Sequence, residues 1–162
     1  MPELPDVEIF RQYAEKNALN REIEKVTVDE PKIAEVEENK INQSLQGQKF
    51  TKAERLGKYL LFPTTAESIL IMHFGMTGRL DYNRKQKPDY TKATFYFTNG
   101  YRLYFINPRK LGRLYITDNI HAFCQEMKIG PDALAIKEGD FKQMIKRKRG
   151  ILKTTLMDQS FI

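Results

Sequence analysis

Seven short runs rich in β-branched and aromatic residues, separated by turn-forming residues, constrain the fold of this 162-residue chain most strongly. They span residues 23–28, 49–56, 59–62, 69–74, 93–98, 102–106 and 113–116. Asn99-Gly100 joins the fifth and sixth runs and is typical of a two-residue hairpin, in which both turn positions need positive φ. Short strands joined in this way favour an antiparallel β-sandwich over a doubly wound parallel sheet.

Helical periodicity is confined to a few segments. Apolar residues recur at helical spacing behind Pro5, which is tolerated in a first turn, and predict a helix over residues 5–19. Two further helices are predicted over residues 119–128 and 141–148. The segments 35–38 and 83–90 are predicted to be solvated connections. The predicted fold class is therefore α+β, an antiparallel β-sandwich flanked by helices.

The charge balance favours an anionic partner but does not identify it. Lys and Arg together number 27 against 21 Asp and Glu, which gives a net charge of +6. With one cysteine, Cys124, and two histidines, we expect no internal disulfide, no zinc cluster and no cofactor in this chain. The longest apolar run, residues 68–74, is far shorter than the roughly 20 residues of a membrane span. We therefore expect a cytoplasmic protein that does not enter a membrane.

Five sequence blocks follow one another along the chain. They are Met1-Pro2-Glu3-Leu4-Pro5-Asp6-Val7-Glu8, Arg55-Leu56-Gly57-Lys58, His73-Phe74-Gly75-Met76-Thr77-Gly78, Asn107-Pro108-Arg109-Lys110-Leu111-Gly112-Arg113 and Leu152-Lys153-Thr154-Thr155-Leu156-Met157-Asp158-Gln159. In this order they resemble the formamidopyrimidine-DNA glycosylase/endonuclease VIII family over essentially the whole chain. The resemblance implies a DNA base-excision repair glycosylase with AP-lyase activity that removes oxidised bases, with purines as the first expectation.

The resemblance implies three catalytic residues at the start of the N-terminal helix and on a strand. Pro2, exposed once Met1 is removed, is the expected nucleophile, Glu3 the general acid/base, and Lys58 a residue for base recognition and catalysis. A secondary amine suits this chemistry, because its attack on C1′ expels the base and leaves an iminium ion that cannot lose an N–H proton. That ion acidifies the C2′ hydrogen and promotes strand cleavage by β- and δ-elimination.

The resemblance also implies five DNA-binding residues. His73 and Lys153 are expected to contact phosphates. Met76, Arg109 and Leu111 are expected to fill the hole that a flipped-out nucleotide leaves in the duplex. Leu111 departs from the phenylalanine that is common among relatives that repair oxidised purines. An aliphatic side chain stacks on bases less well, so this departure bears on lesion probing and on the preferred opposite base.

The expected domain organisation follows from the resemblance as well. Residues 1–150 would form the catalytic domain, and residues 151–162 would begin a truncated helix–two-turn–helix domain, to which the family usually adds a zinc-bearing finger. Without those parts we expect weak binding of damaged or abasic double-stranded DNA by a monomer, and poor glycosylase activity. Two alternatives stay open, a non-catalytic DNA- or damage-binding module of the same fold and a basic interaction domain unrelated to DNA.

Overall fold

A computed structural model describes residues 2–162, which form five α-helices and eight β-strands. The helices are α1 (Leu4–Asn17), α2 (Glu38–Leu45), α3 (Ile120–Glu126), α4 (Glu138–Lys146) and α5 (Leu152–Leu156). The strands are β1 (Ile23–Val28), β2 (Glu54–Leu56), β3 (Tyr59–Pro63), β4 (Ile69–His73), β5 (Arg79–Asn83), β6 (Thr91–Phe97), β7 (Arg102–Ile106) and β8 (Arg113–Thr117). A 3-10 helix, Pro31–Ile33, lies between β1 and α2.

The chain divides into two compact units, one that ends at Asn119 and one that spans Ile120–Ile162. The first unit contains α1, α2 and all eight strands, and the second contains α3, α4 and α5. This division does not test the domain boundary predicted at residue 150, which stays a prediction.

Two four-stranded antiparallel sheets make up the first unit, one ordered β1-β6-β7-β5 and the other β2-β3-β4-β8. Along most strands, alternate residues face the opposite sheet and are buried, as Leu60 of β3 and Phe95 of β6 are. The ring centroid of Phe50 lies 4.7 Å from that of Phe62 in one sheet and 6.2 Å from that of Phe95 in the other. The predicted α+β sandwich is confirmed.

Helices cover an edge of the sandwich on each side. The side-chain amide of Asn42 in α2 accepts a hydrogen bond from the Val26 N–H at 2.7 Å and donates one to the Val26 carbonyl at 2.8 Å. On the opposite side, the hydroxyl of Tyr13 in α1 accepts a hydrogen bond from the Tyr82 N–H of β5 at 2.8 Å. These side chains satisfy backbone groups of edge strands that a further strand would otherwise pair with.

The first unit contains one β-strand and one α-helix that the sequence did not predict. All seven predicted strands are present, although the run at residues 49–56 forms a strand only at Glu54–Leu56. The additional elements are β5 and α2, and α2 begins inside the segment that was predicted to be a connection. Both are mostly polar, and only Ile41 and Leu45 of α2 are buried, so neither shows a clear hydrophobic period.

The β6–β7 hairpin is confirmed, but its turn differs from the predicted one. Gly100 takes a φ of +82°, whereas Asn99 has no positive φ. The Gly100 N–H donates to the Phe97 carbonyl at 3.0 Å, and the Phe97 N–H donates to the Tyr101 carbonyl at 3.0 Å. The loop therefore has three residues and ends in a left-handed glycine, a common alternative to the two-residue turn.

The connection at residues 84–90 runs back along β7. β5 ends beside Arg102, whereas β6 begins beside Ile106 at the opposite end of β7. Within the connection, the Arg84 guanidinium lies 4.3 Å from the ring centroid of Tyr101, and Nζ of Lys87 lies 2.6 Å from Oδ2 of Asp29. The segment is largely exposed, as predicted.

The second unit contains the two later helices that were predicted, as α3 and α4, together with the short α5. The ring of Phe161 is buried, and its centroid lies 6.4 Å from that of Phe141. The Gly130 N–H donates to the Gln159 carbonyl at 2.8 Å. No helix within residues 2–162 is both long enough and apolar enough to cross a membrane.

Replacing Asn42 by alanine is expected to lower the free energy of unfolding by about 1–3 kcal/mol, because the two Val26 backbone groups lose their partner. Urea denaturation followed by circular dichroism measures the change. Gln43→Ala, at an exposed position of the same helix, is the matched control and should change stability by less than about 0.5 kcal/mol. Equal effects of the two substitutions would contradict this role of Asn42.

Candidate active site

The start of α1 carries two of the three predicted catalytic residues. Pro2 directly precedes Glu3, which is the N-cap residue of the helix. The Glu3 N–H donates to Oδ2 of Asp6 at 2.8 Å, and the Glu3 carbonyl accepts from the Val7 N–H at 3.1 Å. These bonds fix the backbone beside Pro2 at the positive end of the helix dipole.

Lys58 lies in the turn between β2 and β3, where Gly57 takes a φ of +55°. Only 9% of Lys58 is exposed. Its Nζ atom lies 2.8 Å from Oε2 of Glu3, and this ion pair joins the turn to the start of α1. Because a buried, unpaired ammonium is costly, the Glu3 carboxylate both holds and compensates this lysine. The structure thus brings Glu3 and Lys58 together beside Pro2.

A charged network holds α1 against the same turn. Glu8 lies 2.9 Å from Arg11 in its own helix and 3.5 Å from Nε of Arg55 in β2. Arg55 also donates to the Gly57 carbonyl at 3.0 Å. The hydrogen bond from Arg11 lowers the pKa of Glu8 below its ordinary value. Neither arginine was predicted to have a role; the i, i+3 spacing indicates the Glu8–Arg11 pair, whereas the Arg55 contact depends on the fold.

His73 is the last residue of β4 and lies beside Tyr59 of β3, with 5.0 Å between the ring centroids. The Gly75 N–H donates to Nδ1 of His73 at 3.3 Å, so the neutral imidazole carries its proton on Nε2. Burial lowers the pKa of His73 below its ordinary value, and the positive charges of Lys58 and Arg113 lower it further. A neutral imidazole with Nε2–H as donor results.

Two loops carry the three residues predicted to fill the duplex. Met76 lies in the loop between β4 and β5, and Arg109 and Leu111 lie in the loop between β7 and β8. Asn107, which is 0% exposed, donates from Nδ2 to the Phe74 carbonyl at 2.9 Å and so joins the loops. Met76 is 41% exposed and Leu111 is 44% exposed. The joined loops therefore present two apolar side chains to solvent.

Acidic residues neutralise two of the three cations around the second loop. Nζ of Lys110 lies 2.5 Å from Oε2 of Glu30, and Nε of Arg113 lies 3.0 Å from Oε1 of Glu35. The hydrogen bond from Lys110 lowers the pKa of Glu30 below its ordinary value. Arg109 is exposed and has no carboxylate partner among residues 2–162. Arg109 is therefore the cation of this loop that is available to an anionic ligand.

Seven of the eight predicted site residues lie in the first unit, and Lys153 lies exposed on α5 in the second. Their functional roles stay predictions. Asn107 was not predicted as a site residue, because a single buried asparagine between two loops has no periodic signal. Among residues 2–162, no three His, Cys, Asp or Glu side chains are grouped to hold a metal ion. The expected absence of a cofactor also stays a prediction.

Residues 1–114 match the model of the formamidopyrimidine-DNA glycosylase N-terminal domain. The chain belongs to this family. The formamidopyrimidine-DNA glycosylase of Protochlamydia amoebophila is 32% identical over 166 residues, and that of Heliobacterium modesticaldum is 33% identical over 172 residues. Both alignments cover 100% of this chain, but 60% and 62% of the respective relative. The chain thus spans about three fifths of the length of these family members.

Solved structures share the fold of this family member. A crystal structure of Lactococcus lactis Fpg in complex with DNA containing an abasic site matches it with a TM-score of 0.89 at 24% identity, over 99% of this chain and 62% of that one. A complex of the wild-type Lactococcus lactis protein with DNA containing N7-benzyl-Fapy-dG also gives a TM-score of 0.89 at 24% identity, over 99% and 61%. At this level of identity the likeness concerns the fold alone.

The imidazole of His73 is expected to titrate below the ordinary histidine value of 6.5. Because the folded state disfavours the charged imidazole, the stability that His73 contributes is present above 6.5 and is lost as the pH falls through the lowered pKa. NMR titration of the imidazole protons measures the pKa, with His121→Gln used to assign the resonances. A pKa of His73 at or above 6.5 would contradict this description of the site.

Proposed function

We propose that this chain carries the catalytic residues of a DNA base-excision repair glycosylase with AP-lyase activity, whose substrates are oxidised purines in double-stranded DNA. The main support is the Glu3–Lys58 ion pair, 2.8 Å long, immediately beside Pro2. Family membership supports the same chemistry, since the relatives are named formamidopyrimidine-DNA glycosylases. A protein that repairs DNA would act inside the cell. We also propose that it acts as a monomer, because one copy of the chain carries all of the proposed residues.

In the proposed glycosylase step, the nitrogen of Pro2, freed by removal of Met1, attacks C1′ of the damaged nucleotide. An N–C1′ bond forms, and the bond from C1′ to the base breaks with its electron pair leaving on the base, which takes up the proton that the Pro2 nitrogen loses. Glu3 relays a proton from the Lys58 ammonium, across their 2.8 Å contact, to the ring oxygen O4′. The C1′–O4′ bond opens, and an iminium ion remains.

In the proposed lyase step, the iminium ion draws electrons away from C2′. The Glu3 carboxylate is the proposed base that removes a C2′ proton, and the C3′–O3′ bond breaks with the 3′ phosphate as leaving group. In a second elimination the C4′ proton is removed and the C5′–O5′ bond breaks, with the 5′ phosphate as leaving group. Water then hydrolyses the C=N bond and frees Pro2. A secondary amine suits every step, because its iminium ion has no N–H proton to lose.

The remaining site residues are assigned to DNA binding. His73 would donate its Nε2–H to a phosphate, and Lys153 would supply a point charge to the backbone. Met76 and Leu111 would occupy the space of the flipped nucleotide, while Arg109 would contact the orphaned base. Arg109 suits this role because the neighbouring cations already have carboxylate partners.

With Met1 removed, the chain is expected to form a covalent adduct with an oligonucleotide that contains one abasic site, because borohydride reduces the iminium ion to a stable amine. Mass spectrometry verifies the N-terminus beforehand and maps the adduct to Pro2. The matched control is the chain that retains Met1, in which the Pro2 nitrogen is an amide and no adduct is expected. No adduct at low salt from the chain without Met1 would overturn the proposal, and binding without an adduct would favour a non-catalytic DNA-binding module.

Glu3→Gln is expected to slow release of an oxidised purine from duplex DNA by about 10²–10⁴-fold, the usual effect of removing a general acid. The substitution keeps the size of the side chain. Single-turnover excision with the protein in excess measures the rate, and Glu15→Gln, at an exposed position of the same helix, is the control. A rate within about twofold of the unsubstituted chain would rule out the assigned role of Glu3.

A further inference from the structure

We infer that Asn107 is a positioning residue that holds the loops carrying Met76 and Leu111 together as one wedge, so that both side chains enter DNA in a single step. The two loops, residues 74–78 and 107–112, are called the wedge loops below. The inference rests on the proposed function and adds to it a residue that acts through others, without touching the nucleotide itself.

One end of the Asn107 side-chain amide bonds across to the other wedge loop, and the other end bonds within its own loop. Nδ2 donates to the Phe74 carbonyl at 2.9 Å, and Oδ1 accepts from the Leu111 N–H at 3.1 Å. The Phe74 carbonyl also accepts from the Gly78 N–H at 2.9 Å, and the Asn107 N–H donates to the Tyr90 carbonyl at 3.0 Å. Because Asn107 is fully buried, no solvent competes for these bonds.

Glycines allow the two backbones to approach each other without intervening side chains. A Cβ atom at Gly75 would lie 2.5 Å from the Leu111 carbonyl carbon, and Gly75 has a φ of +61°. A Cβ atom at Gly112 would lie 2.3 Å from Nδ2 of Asn107. At Gly75 a larger residue would push the wedge loops apart, and at Gly112 it would displace the Asn107 amide that joins them.

Two further contacts tie the wedge loops to their surroundings. The Arg109 N–H donates to Oγ1 of Thr77 at 3.4 Å, a second bond between the loops. The ring centroid of Phe74 lies 4.5 Å from that of Phe10 in α1 and 5.7 Å from that of Phe105 in β7. The base of the wedge is thus packed against the helix that begins beside Glu3.

This construction has an energetic consequence for DNA binding. Opening a base stack has a cost that is incurred once, whichever side chain enters. If the wedge loops move together, the favourable contacts of both side chains are needed to offset the free energy of opening the stack. Truncating either side chain then prevents insertion, and the contribution of the other side chain to binding is lost as well. Independent loops would instead lose the two contributions separately.

Amide hydrogen exchange measured by NMR on the unsubstituted chain tests whether the wedge loops open together. The Leu111 and Gly78 N–H groups lie in different loops and are expected to have protection factors within about threefold of each other, as in one cooperative unit. Asn107→Ala is expected to lower both by about tenfold or more, while Asn107→Asp, which keeps the acceptor for Leu111, should restore part of the protection. Protection factors that differ by more than about tenfold in the unsubstituted chain would overturn the inference.

Affinity for a duplex with a stable abasic analogue, at one fixed low salt concentration, gives the second test. Met76→Ala, Leu111→Ala and their combination are compared, with Ile9→Ala as an exposed apolar control on α1. If the two loops act as one wedge, the double substitution weakens binding by no more than about twofold beyond the stronger single substitution. When Asn107→Ala is also present, the effects of the two single substitutions on binding are expected to multiply. If the effects of Met76→Ala and Leu111→Ala multiply while Asn107 is present, the inference is overturned but the proposed function is not. If the chain does not prefer the abasic duplex over an intact one, the proposed function is overturned.

Discussion

The packing of α1 across the open side of the sandwich is the contact on which the geometry of the site depends. The helix lies against β2 and β3 of one sheet and β5 of the other. Phe10 contacts Phe74, and Tyr13 hydrogen-bonds to the backbone of β5. Because the helix is fixed along its length, its first turn can hold the Glu3 carboxylate at the buried ammonium of Lys58. The packing of the helix on both sheets therefore fixes the position of the residues at its N-terminus.

The strands could be predicted because their apolar residues alternate or, in β3 and β4, form continuous runs, and neither signal needs knowledge of neighbouring strands. Elements with a weak signal were missed: α2 buries two residues, and β5 is a mostly polar edge strand. Asn99-Gly100 identified the hairpin but not the turn, since the same pair also suits a three-residue loop. In each case local sequence identified an element, and its exact geometry depended on tertiary contacts.

In the candidate site, too, local sequence identified the elements, whereas tertiary contacts determined their geometry. Its blocks were recognisable as sequence, yet the contact between Glu3 and Lys58 joins residues far apart in the chain. The burial of Asn107 and the pairing of Lys110 and Arg113 with acids were equally inaccessible to sequence reasoning. Net positive charge indicated an anionic partner in general. Because Lys110 and Arg113 are paired with acidic residues, Arg109 is the cation of this loop that is available to such a partner.

The course of the chain through the β1-β6-β7-β5 sheet also bears on how the protein assembles. β5 is an edge strand whose neighbour, β7, is synthesised later, after the connection at residues 84–90 and after β6. The β6–β7 hairpin is local and can form early, whereas β5 must wait for it before it can pair. The loop containing Met76 immediately precedes β5, and Asn107, which bonds to that loop, follows β7, so both anchors of the loop require β7 to be in place. The surface proposed to enter DNA is therefore completed late in folding, and partly folded chains would lack it even where much of the core has formed.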